Sequence, residues 1–100
     1  MWSVVYTSMR KKNDLLNEIR YKYITQHDTA SGMFLRMVWD YYVKNDLETG
    51  DQLADIFYAL YMNSEELTYD EIVYKFNIGL STLSRYRKRF NVLARKLLPK

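Results

Sequence analysis

The sequence has no cysteine, one proline (Pro99) and three glycines (Gly32, Gly50, Gly79) among its 100 residues. Without cysteine there is no disulfide scaffold, thiolate zinc site, iron–sulfur cluster or cysteine nucleophile. So few glycines and prolines argue against a sandwich or barrel, whose many tight turns call for both. No stretch approaches the roughly 18 uncharged apolar residues of a membrane span. The opening MWSVVYTSMRKK places apolar residues before basic ones, the reverse of a secretory signal. These absences predict a cytoplasmic chain with no membrane partner.

The composition present is that of a folded domain. Hydrophobic residues make up 48% and charged residues 27%, and sixteen aromatics, ten of them tyrosine, argue against disorder. One hundred residues make one domain able to bury its own core, with 1–50 as its N-terminal part and 51–100 as its C-terminal part. Charge divides the chain unevenly. Residues 68–100 hold eight basic residues against two acidic ones, and residues 1–67 hold seven against ten. Such a split suits a polyanion at one end and not at the other, or else a merely solvated basic helix.

Apolar spacing is helical almost throughout. Val5, Met9, Leu16, Ile19 and Tyr23 give a loose stripe, interrupted by Arg10, Lys11 and Lys12, so at least one helix precedes residue 28. The polar run from His27 to Gly32 reads as punctuation. Leu35, Val38, Trp39 and Tyr42 predict a helix over about 33–45, broken by Asn45-Asp46 and by Glu48-Thr49-Gly50. Leu53, Ile56, Phe57, Leu60 and Tyr61 predict another over about 51–62. Thr68-Tyr69-Asp70-Glu71 fits a capping box that opens a helix over 69–76. Asn77 ends it, being able to adopt the left-handed conformation, and Gly79 serves as N-cap for a helix over 80–98, closed by Pro99. The expectation is all-α: a compact domain of about five helices with a C-terminal helix-turn-helix.

That last pair carries the functional reading. Ile72 and Phe76 line the first helix, Val73 permits a close crossing, Ile78 plugs the turn, and Leu83 and Tyr86 anchor the second helix. In such a unit the second helix enters the major groove of duplex DNA. Leu80, Ser81, Ser84, Arg85 and Lys88 are left outward. Arginine can bond guanine bidentately, serine can bond bases or phosphates, and leucine can touch a thymine methyl. Thr82, Arg87 and Arg89 lie towards the flanks, where phosphates fix register.

The segment LTYDEIVYKFNIGLSTLSRYRKR resembles the helix-turn-helix of bacterial sigma-factor region 4 and of related small phage-type regulators. Upstream, DQLADIFYALYMNSEELTYDEI is similar to that family's preceding helix and its T-x-x-E-I start, so the likeness covers about residues 51–98. Asn77 replaces the usual glycine, and Gly79 stands where serine or threonine often caps the recognition helix. The resemblance implies a stand-alone bacterial or phage transcriptional regulator, and RNA polymerase or a regulator is the partner if the same fold serves protein interaction instead. The competing reading is a non-enzymatic protein-interaction module on the same fold.

Other signals are weaker. His27 is the only histidine and has no second ligand beside it, which suits a surface or cap position. No phosphate-cradling glycine motif occurs, Ser81 and Ser84 lack a base, and nothing supports catalysis, a cofactor or a metal. Trp39, Tyr41, Tyr42, Phe57, Tyr58 and Tyr61 could stack nucleobases, but in the acidic half they read as packing residues. Leu83, Tyr86, Phe90, Leu93 and Leu97 form a seam longer than groove reading requires. The N-terminal helices or a second subunit could bury it; the paired half-sites common among helix-turn-helix proteins favour a homodimer.

Overall fold

The computed structural model describes residues 14–98. Every regular element in it is helical: α1 (Leu15–Gln26), α2 (Thr29–Thr49), α3 (Leu53–Phe57) continuing into a π-helical turn (Tyr58–Met62), α4 (Tyr69–Phe76) and α5 (Leu80–Leu97). Val5, Met9, Arg10, Lys11, Lys12 and Pro99 lie outside the described residues.

α2 is longer at both ends than the helix over about 33–45 that the sequence predicts. Thr29–Gly32 belongs to α2 rather than to a loop, and the break between the two helices is confined to His27 and Asp28. His27 takes the left-handed conformation at φ 52°, and its N–H returns to the Lys22 carbonyl. Gly32 sits inside the helix beneath the Tyr23 ring, where a Cβ would lie 2.7 Å from that ring. At the other end α2 runs through Asn45-Asp46 to Thr49, and Gly50 closes it at φ 75°. Asp46 does not break the helix. Its carboxylate accepts from the Leu53 N–H at 3.2 Å and the Ala54 N–H at 2.7 Å, and so caps α3.

α3 and its π turn form the centre of the fold. Leu53, Ala54, Ile56, Phe57, Ala59, Leu60 and Tyr61 are all buried, leaving Asp55 and Tyr58 outward. A helix apolar around most of its circumference belongs inside. The turn is wider by one residue, with the Asn63 N–H bonded to the Tyr58 carbonyl at 2.9 Å. Phe90 of α5 inserts into an aromatic cluster, edge-on to Tyr42 at 4.9 Å and to Phe57 at 5.3 Å. Edge-to-face rings add to the burial of apolar area.

Two buried polar clusters tie α1 to the rest. Arg20, 2% exposed, donates to the Asn63 carbonyl at 2.8 Å and to Glu66 at 3.4 Å. Asn91 of α5 accepts from the Leu16 N–H at 2.9 Å. The N-terminal part therefore covers α5 as well as α3.

Candidate nucleic-acid interface

α4, a three-residue turn and α5 set up the candidate surface. Both halves of the predicted capping box are present: Thr68 Oγ1 accepts from the Glu71 N–H at 3.1 Å, and Glu71 Oε1 accepts from the Thr68 N–H at 2.8 Å. Those bonds hold the exposed Glu71 carboxyl below its ordinary value. Asn77 adopts φ 54°, ψ 50°, and the Ile78 N–H reaches back to the Val73 carbonyl at 3.1 Å. This bond turns the chain sharply and seats Ile78 against the core. Gly79 then starts α5 with no side-chain cap, so no side chain occupies the first-turn amides.

α5 has two faces. Leu83, Phe90 and Ala94 are buried, with Tyr86 and Leu93 packed beside them. Leu80 is 57% exposed, and Ser81, Ser84, Arg85, Lys88 and Arg89 are also exposed. Thr82 is half-buried and accepts from Arg85 at 3.3 Å. That bond holds the Arg85 guanidinium along the helix surface.

Arg87 departs from the flank position the sequence suggests. It points towards α1, on the same side as Asn91 one turn later. It meets the Asp14 carboxylate at 3.3 Å, and its guanidinium carbon lies 4.2 Å from the Tyr69 ring centre. Tyr61 also donates to Asp14, at 3.0 Å. Burial, and then the Asp14 charge, push the Tyr61 hydroxyl well above its ordinary value, so it remains a neutral donor. Arg87 is thus engaged in holding α5 to α1.

Arg95 and Lys96 lie beyond the candidate contact residues, which end at Arg89. Both are exposed and extend the outward face by spacings of three or four through Arg85, Lys88, Arg89 and Val92. That spacing is legible in the sequence, one to two turns beyond the segment that resembles a helix-turn-helix. None of Arg85, Lys88, Arg89, Arg95 and Lys96 is ion-paired among the described residues. No acidic residue occurs on α5.

The seam is covered within the chain as far as Ala94, and Leu97 is 37% exposed. A second subunit is not needed to bury Phe90. Tyr42, Phe57 and Tyr61 are core residues, whereas Tyr41 and Tyr58 are about half exposed on separate helices. His27 is a helix cap. Among the described residues no helix is long and apolar enough to cross a membrane, and no group of three or more potential ligands could hold a metal ion. No protein-family model, no curated protein and no solved structure matches the chain.

Proposed function

We propose that the chain is a sequence-specific, duplex-DNA-binding transcriptional regulator of bacterial or phage type. α5 lies in the major groove, with α4 packed across its start. The observation that carries this reading is the exposed face of α5: Ser81, Ser84, Arg85 and Lys88 share one side, bordered by Leu80 and Arg89, with no carboxylate among them. Arg85 supplies a guanine contact, and Lys88, Arg89, Arg95 and Lys96 supply phosphate contacts. The first-turn amides of α5 add a further phosphate site. The resemblance of residues 51–98 to sigma-factor region 4 supports the same assignment.

The test is selection of bound duplexes from a random pool at stated salt concentrations. A regulator enriches one sequence, and its affinity falls steeply as salt rises, because each phosphate contact releases counterions. A chain that binds no duplex even at low salt, yet co-purifies with polymerase, has the protein-interaction role instead.

A further inference from the structure

The outward face of α2 has a different character. Arg36, Asp40, Lys44 and Glu48 stand four apart in one row of alternating sign, all exposed. Beside the row lie Met33, Met37 and Tyr41, at 69%, 44% and 51% exposure, and on its other side Leu47, at 83%. Large apolar side chains gathered on one exposed face mark an interaction surface. Opposite charges four apart on a helix can pair with each other. Here none of the four is ion-paired among the described residues, so the row is available to an outside partner.

The charge order indicates which partner. Laid parallel and in register on a copy of itself, the row would set every charge against its own sign. Laid antiparallel, with the two-fold axis between residues 40 and 44, it sets Arg36 against Glu48 of the second copy and Asp40 against Lys44 of the second copy. Symmetry then repeats both pairs. Rows of residues four apart are also the ridges that interdigitate in the commonest helix packing, at a crossing angle of about 50°. In that arrangement the flanking Met33–Met37–Tyr41 ridge and Leu47 fill the grooves beside the charges, and methionine adapts readily to such gaps.

We infer that this face of α2 binds a second copy of the chain, through a two-fold crossing of α2 on α2. Such an interface uses one patch twice. The inference stands apart from whatever α5 binds, and it uses a different surface from the α5 seam.

Sedimentation velocity on the full chain across the micromolar range tests it. The wild type should pass from monomer to dimer. Asp40→Lys and Lys44→Asp each place like charges opposite one another at both symmetric contacts, and each should weaken self-association by about tenfold or more. Mixed in equal amounts, the two variants should dimerise again, because the introduced lysine of one chain faces the introduced aspartate of the other. Loss of charge pairing inside one helix could not be rescued by a second chain. Melting curves should show both variants folded, since both side chains are exposed. A monomeric wild type would overturn the inference. So would a dimer indifferent to either substitution, or variants that stay apart when mixed.

Discussion

Asp14 and Arg87 meet at 3.3 Å across 73 residues of sequence, and both side chains are nearly buried, at 3% and 11% exposure. One carboxylate thus serves three elements: it caps α1, accepts from Tyr61 of the central helix, and pairs with a cation of α5. Asp14→Asn keeps a capping residue but removes the charge, and should destabilise the fold by roughly 2–3 kcal/mol by leaving Arg87 unpaired. A double-mutant cycle with Arg87→Met should show a coupling of about 1–2 kcal/mol. Additive effects in urea unfolding would show that the pair is incidental.

His27 holds a left-handed conformation that costs a residue with a Cβ more than it costs glycine. His27→Gly should raise stability by about 1 kcal/mol, read as a higher urea midpoint with an unchanged slope. A lower midpoint would mean that the imidazole makes a compensating contact.

Gly79 has extended φ and ψ, and a Cβ there would meet only Ser81 Oγ, at 4.0 Å. Gly79→Ser should add a cap to α5 and restrict the unfolded chain, for a gain of roughly 0.5–1 kcal/mol in thermal unfolding. If the first-turn amides bind phosphate, the same serine competes for them. DNA affinity should then fall while stability rises.

Glu71 has a carboxyl depressed in the folded state by its bonds to Thr68. As pH falls the unfolded chain takes up that proton first. The stabilisation is therefore complete above the ordinary value of 4.5 and is lost as pH falls through the lower folded value. Glu71→Gln keeps the reciprocal bond without the titration. Wild type and variant should converge in urea midpoint as the solution is acidified below that range, and a constant difference would argue against this linkage.

The helices were legible where local signals acted alone. The capping box at Thr68, the left-handed stop at Asn77 and the apolar spacing of α5 are each written within a few residues, and each stands where the sequence placed it. The departures arise from partners distant in sequence. Gly32 looks like a break until the Tyr23 ring is seen across it, and Asp46 looks like a break until its carboxylate is seen on the next helix. Arg20 and Arg87 resemble ordinary surface cations, because nothing near them in sequence reveals Asn63, Glu66 or Asp14. The outward face of α5 followed from the buried one by periodicity. Arg87 faces inward because α1 lies along that flank and widens the buried arc.

The most direct test of the α5 assignment compares the wild type with Arg85→Ala and Lys88→Ala. Affinity for the selected duplex and for a scrambled one is measured at several salt concentrations, alongside melting curves. Arg85→Ala should cost roughly 1–3 kcal/mol on the selected duplex and relax preference at one base pair. Lys88→Ala should weaken binding to both duplexes and reduce the salt slope by about one unit. Both variants should melt like the wild type, because both side chains are exposed. Equal binding of the wild type to the two duplexes, or variants indistinguishable from it, would contradict the account.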